Sequence, residues 1–255
     1  MTQLLLIPTD LEWRLLKPGL QRVSEAKDDA GGDWEQGQVR LCGFGPIVSA
    51  ARTAALICEL RPHLVVLVGI AGALSDALEL GRAYEFSRIA VDGLGVGRDC
   101  TVATGGDANY LSSDQMGWAQ WPGSVDSPRI GDRIDLWHGG DGPASHSPAS
   151  PHRDLGLLSV CAASADRAHA DRRRERYADM AAEDMEGFGV AAACELAGIP
   201  LRVIRGISNR AGDRNASGWR IESALAAVCQ LLHESGPPAV ASPAASQAGR
   251  GKTNR

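Results

Sequence analysis

With 255 residues, 44% of them apolar, and a net charge of -5, the chain is long enough to bury a sizeable core. The acidic balance and the lack of a dense Lys/Arg tract argue against a nucleic-acid partner. The N-terminus has no basic stretch ahead of a long apolar run, and no segment approaches the ~20 apolar residues that span a bilayer, so no membrane partner and a cytoplasmic location are expected.

In chain order, residues 4–8 form a short apolar run that reads as a buried strand, and 9–20 read as a helix. A strand over 39–43 leads into an Ala-rich helix over 47–60. Residues 64–68 are continuously apolar, as in a strand covered on both faces. Residues 84–91 read as one further strand, and Gly93-Leu94-Gly95-Val96-Gly97 as a loop. After an apolar run at 157–163 come helices over 166–177 and 187–197, a strand over 201–208 and a closing helix over 218–234. Glu183, Asp184 and Glu186 read as the acidic opening of the helix at 187. Strands alternating with helices predict an α/β fold with a central mixed, largely parallel sheet in a single-domain, three-layer α/β/α sandwich.

Two segments stand apart by composition. Residues 121–153 are rich in Gly, Pro, Ser, Asp and His and read as a flexible insertion; 235–255 read as a disordered tail, leaving 1–234 as the folded domain. Arg172-Arg173-Arg174-Glu175-Arg176 reads as a solvated helix face. The six cysteines (Cys42, Cys58, Cys100, Cys161, Cys194 and Cys229) show no metal-ligand spacing and read as reduced, mostly core residues.

Gly43-Phe44-Gly45-Pro46 joins a strand to a helix, but Val48 stands where a dinucleotide fingerprint needs its third glycine. Gly69-Ile70-Ala71-Gly72-Ala73 follows a strand; its small residues suit close approach of backbone to a ligand at Gly72, or a tight turn. Glu12 lies three residues after Thr9, the spacing of a helix capping box, and also just past a strand end, where it could orient a water. Glu186 shares a helix face with Val190, Ala193 and Ala197, so it is either a buried N-terminal cap or a carboxylate awaiting a sugar hydroxyl. Ser208-Asn209 ends a strand, where α/β sheets bind ligands. Asp213, after Gly212, is a typical turn former.

The order of these pieces resembles the nucleoside phosphorylase and nucleosidase superfamily, in particular its methylthioadenosine/S-adenosylhomocysteine nucleosidase branch. The resemblance runs over most of residues 1–233 and rests on Glu12, the turn from Gly43 to Gly45, Gly69 to Gly72, Asp184-Met185-Glu186-Gly187 and Arg205-Gly206-Ile207-Ser208-Asn209. Within it, MEGFGVA and IRGISNRAGDRN most resemble the futalosine hydrolase family. The resemblance implies a nucleoside phosphorylase-like fold, hydrolysis of an N-glycosidic bond, a small-molecule nucleoside substrate, no metal or cofactor, and a homo-oligomer. It implies that Glu12 activates the attacking water, that Glu186 holds the ribose hydroxyls beside Met185, and that Asn209 meets the purine with Ser208 and Gly72 close by. Adenine-specific relatives have an Asp where Asn209 stands. An amide offers NH2 to N7 or a 6-oxo group and a carbonyl to a ring N–H, which suits hypoxanthine, the base of futalosine. It leaves protonation of the base to Asp213 or a water. Phosphorolysis would need dianion donors near the glycine loops, yet Val68, Ile70 and Ala71 offer none and Arg52 lies well into its helix. The alternatives are a nucleosidase for methylthioadenosine, S-adenosylhomocysteine or aminofutalosine, and a non-catalytic nucleoside-binding protein.

Overall fold

A computed structural model describes residues 2–25, 37–97, 110–136 and 155–235. The expected tail, part of the expected insertion and Cys100 lie outside the described residues.

Strands β1 (Gln3–Ile7), β2 (Gln38–Leu41), β3 (Leu64–Ala73), β4 (Ala83–Phe86), β5 (Arg88–Asp92), β8 (Arg133–Asp135), β9 (Gly156–Val160), β10 (Met180–Asp184) and β11 (Leu201–Arg210) make a nine-stranded sheet. Its order is β2-β1-β3-β10-β9-β5-β8, with β11 pairing both β3 and β4. The pairs β1/β2, β1/β3, β3/β11, β9/β10 and β5/β9 are parallel; β3/β10, β4/β11 and β5/β8 are antiparallel. The mixed, largely parallel sheet is therefore as the alternation of elements predicts. A short ribbon, β6 (Gly95–Gly97) with β7 (Tyr110–Ser112), stands apart.

Helices cover both faces, which is why the strands read as continuous apolar runs. On β1, Leu4 and Leu6 pack with α2 (Pro46–Leu60) and α4 (Gly187–Ala197). The alternate residues Leu5 and Ile7 pack with α1 (Asp10–Glu25) and α5 (Ile221–Ser235). Helix α3 (Arg167–Arg176), capped by Asp166 at His169 N (2.8 Å), lies over β5, β9 and β10.

Five sequence expectations are corrected. Glu183 and Asp184 end a strand and do not open a helix: β10 is buried along its length, and each carboxylate is neutralised there by an arginine. The expected strand over 84–91 is two strands, because Ser87 is where the chain leaves β11 and joins β9. Gly95-Val96-Gly97 pairs as a strand. Residues 121–136 are described and end by adding β8 to the sheet edge, with Trp121 bridged to Ile130. The arginine run is also not uniformly solvated, since Arg173 is buried. Cys42, Cys194 and Cys229 are buried, whereas Cys58 and Cys161 are exposed.

Candidate functional site

The site is assembled where β1, β3, β10 and β11 end. Glu12, 4% exposed, forms the capping box that its spacing predicts: its Oε2 accepts from Thr9 N (3.0 Å) and Thr9 Oγ1 (2.5 Å), and Glu12 N donates to Thr9 Oγ1 (3.3 Å). It also does more than cap. Oε1 reaches across to accept from Ile70 N (3.0 Å) on β3. The two readings of Glu12 are therefore compatible in one geometry.

Glu186, 5% exposed, occupies the N-cap position of α4 without a side-chain cap bond. The helix head is satisfied by others: Asp184 Oδ2 accepts from Gly187 N (2.9 Å) and Ser159 Oγ from Phe188 N (2.7 Å). Glu186 instead points into the site, where Oε1 accepts from Gly45 N (3.1 Å) and Oε2 from Arg205 Nη2 (3.3 Å). Gly45 has φ of 81°, a left-handed conformation that only glycine adopts easily, and this aims its N–H at the carboxylate. Burial pushes the Glu186 carboxyl up to about 7, with Arg205 opposing and Asp184 reinforcing the shift.

Arg205, on β11, is the residue that sequence reasoning passed over. It is fully buried, and Nε donates to Asp184 Oδ2 (3.1 Å) while Nη2 pairs with Asp184 and Glu186. Its Nη1 is a buried donor with no acceptor. A Cβ on Gly69 would come 2.3 Å from that Nη1 and 2.6 Å from Glu12 Oε1, so the missing side chain is what lets both groups border one point. The sequence did carry a signal: a guanidinium in the middle of an apolar strand needs a buried counter-charge.

Asn209, 8% exposed, follows a β-bulge. Ile207 registers with Ala71 and Asn209 with Gly72, leaving Ser208 as the extra residue. Bulges re-aim side chains. Asn209 Nδ2 donates to Arg210 O (2.8 Å), and a backbone carbonyl can only accept, so the amide orientation is set. Asn209 Oδ1 then accepts from Ser208 Oγ (2.8 Å), which also lies 3.3 Å from Ala71 O. One amide proton and one carbonyl lone pair of Asn209 remain. Gly72 sits between Asn209 of β11 and Glu183 of β10. Met185 is half-buried against the cluster of Leu158, Met180 and Ala211. Asp213 is exposed and its carboxylate accepts from Asn215 N (2.9 Å), the turn-forming arrangement. The structure thus joins Glu12, Glu186 and Arg205 in one charged cluster, places Ser208, Asn209 and Gly72 along the adjoining strand ends, and leaves Asp213 in a surface turn.

The chain is similar to known proteins over most of its length. Residues 144–235 match the family model of the phosphorylase superfamily. A futalosine hydrolase of Streptomyces coelicolor is 29% identical over 200 residues, 76% of each chain. A 5'-methylthioadenosine/S-adenosylhomocysteine nucleosidase of Chromohalobacter salexigens is 46% identical over 190 residues, 68% of this chain and 66% of the relative. Among solved structures, the 5'-methylthioadenosine/S-adenosylhomocysteine nucleosidase of Colwellia psychrerythraea, in complex with adenine, superposes with a TM-score of 0.61 at 19% identity, over 91% of this chain and 93% of that one, which shows the shared fold.

Proposed function

The chain belongs to the phosphorylase superfamily, and from that premise we propose that it is a nucleosidase that hydrolyses futalosine to hypoxanthine and dehypoxanthine futalosine. Its relatives are N-glycosyl hydrolases. The observation that carries the reaction type is the convergence of Glu12 Oε1 and the unpartnered Arg205 Nη1 beside Gly69, with Glu186 on the same guanidinium. A water held between a carboxylate acceptor and a guanidinium donor is oriented for attack. Its oxygen bonds to the ribose C1′ as the C1′–N9 bond breaks, its proton passes to Glu12, and the departing purine takes a proton from solvent water. Asp213, the other candidate acid, is exposed and accepts one turn hydrogen bond through Oδ1. Glu186 accepts from the ribose hydroxyls and offsets the oxocarbenium-like charge, and Met185 packs beside the sugar.

Asn209 carries the choice of futalosine. Its free amide proton suits N7 or a 6-oxo group, and its free lone pair suits a ring N–H, a match to hypoxanthine. A second reading, cleavage of methylthioadenosine or another adenine nucleoside, is favoured by the identity to the Chromohalobacter salexigens nucleosidase. The assay offers pure protein futalosine, aminofutalosine, methylthioadenosine and inosine, with and without phosphate. Turnover independent of phosphate and a preference for the hypoxanthine leaving group of ~10²-fold or more are expected, since sites built to hydrogen-bond a substrate reject mismatched analogues strongly. Asn209→Asp should move the preference toward adenine. Faster cleavage of aminofutalosine by the wild type would overturn the hypoxanthine assignment, and no cleavage of any nucleoside would leave a binding protein. A homo-oligomer is part of this reading, supported by the exposed apolar side chains Leu11, Phe44, Ile47 and Val48 near the site. A cytoplasmic location is likewise part of it; among the described residues no helix is long and apolar enough to cross a membrane.

A further inference from the structure

We propose that Arg173 is a positioning residue for the purine end of the site, acting through the loop at residues 161–166; this rests on the reading that Asn209 faces the leaving base. Arg172 and Arg174 on either side of it are exposed, but Arg173 is 8% exposed. Its Nε donates to Asp92 Oδ2 (2.9 Å) at the end of β5. Its Nη1 donates to Ser164 Oγ (2.9 Å) and Glu183 Oε2 (3.0 Å), and its Nη2 to Ala162 O (2.9 Å). Glu183 completes the grip by accepting from Ser164 N (2.9 Å) and Ser164 Oγ (2.6 Å). One guanidinium thus ties two points of the loop to two strand ends, which a single ammonium cannot do.

Two routes lead from this clamp to Asn209. Along the sheet, Glu183 Cγ lies 3.5 Å from where a Cβ on Gly72 would stand, and Gly72 is the register partner of Asn209. Across the loop, Arg214 Nε donates to Ser164 O (3.0 Å), and a Cβ on Gly212 would come 2.2 Å from Asp166 O. The loop at 161–166 is therefore tied to the segment that continues from Asn209. Neither Glu12 nor Glu186 bonds to Arg173. The clamp acts on the base and not on the water or the ribose. A buried ion pair adds little net stability over an apolar pair of the same size, so geometry is what this pair contributes.

The test uses the full chain. Arg173→Met combined with Glu183→Met removes that pair of charges and leaves Asp92 to the hydroxyls of Tyr110 and Tyr177, and Arg173→Lys keeps the charge but not the fork. Thermal melts establish folding; kcat and KM are measured on the nucleoside that the wild type cleaves best, and Kd for free hypoxanthine and free adenine by calorimetry. Loosened base contacts weaken ground state and transition state alike, so KM and the Kd of the preferred base should rise about tenfold or more while kcat changes by less than about threefold. Arg173→Lys should fall between the two. A folded double variant with KM and Kd within about twofold of wild type overturns the positioning role while the nucleosidase reading stands. If the double variant does not fold, an unchanged KM in Arg173→Lys overturns it equally. A wild type that neither cleaves a nucleoside nor binds a purine sinks the nucleosidase reading, and the positioning role with it.

Discussion

Glu12→Gln is expected to lower turnover by ~10²-fold or more, the range of general-base losses. The amide keeps the shape of the side chain but cannot take a proton from the attacking water. A stability cost comes with it. Glu12 offers two accepting oxygens, one to Thr9 and one to Ile70 N, and the amide has only one, so a buried donor is left facing NH2. That mismatch costs about 1–3 kcal/mol. Turnover is therefore to be measured well below the melting temperature, on protein whose folding is checked by circular dichroism. A folded Gln variant with near-normal turnover would leave Glu12 as a helix cap and nothing more.

Glu186→Gln should also lower activity by roughly 10²-fold or more, because a charge-stabilising group is lost, while its stability relative to wild type depends on pH. The reason is the direction of its titration. Burial raises the Glu186 carboxyl to about 7 from its ordinary 4.5. Between those pH values the folded chain holds a proton that the unfolded chain has released. The stability from this group is fully present below the lower value and is lost as pH rises through the upper one. At pH 8 the wild type folds around an ionised, desolvated carboxylate, and the Gln variant does not. The melting temperature of the variant relative to wild type should rise from pH 5 to pH 8. If Glu186 accepts from the ribose hydroxyls as proposed, the wild-type kcat/KM should climb in the same window, with a limb near 7, as the carboxylate ionises. Retained activity with a lower melting temperature would return Glu186 to a structural role.

The sheet was legible where burial on both faces leaves a plain record, as in the residues of β1 and β3. Glu12 and Glu186 were legible as candidates because each carboxylate stood beside a strand end or an apolar helix face. Strand β10 was not. Glu183 and Asp184 look like a helix start until their counter-charges are known, and those arginines stand 10 residues before and 21 residues after them. Pattern along the chain reports burial, and it does not report which charge meets which across the fold. Arg205 and Arg173 were missed for the same reason: one was read as part of a strand motif, the other as part of a surface run. The break at Ser87 was hidden because both halves of 84–91 are strand and only their partners differ.

The charged cluster is held together by bonds of long reach along the chain. Glu12 to Ile70 spans 58 residues and Gly45 to Glu186 spans 141. Closing such loops costs entropy before any contact returns it, so non-local pairings form slowly. The carboxylates and the guanidinium can leave water together only after α4 has docked beside α2 on a completed sheet. During refolding from denaturant, the far-ultraviolet signal should therefore recover ahead of nucleoside cleavage. Enzymatic activity becomes the reporter of the last step of assembly, and a chain stalled before that step keeps its charges hydrated and its catalysis silent.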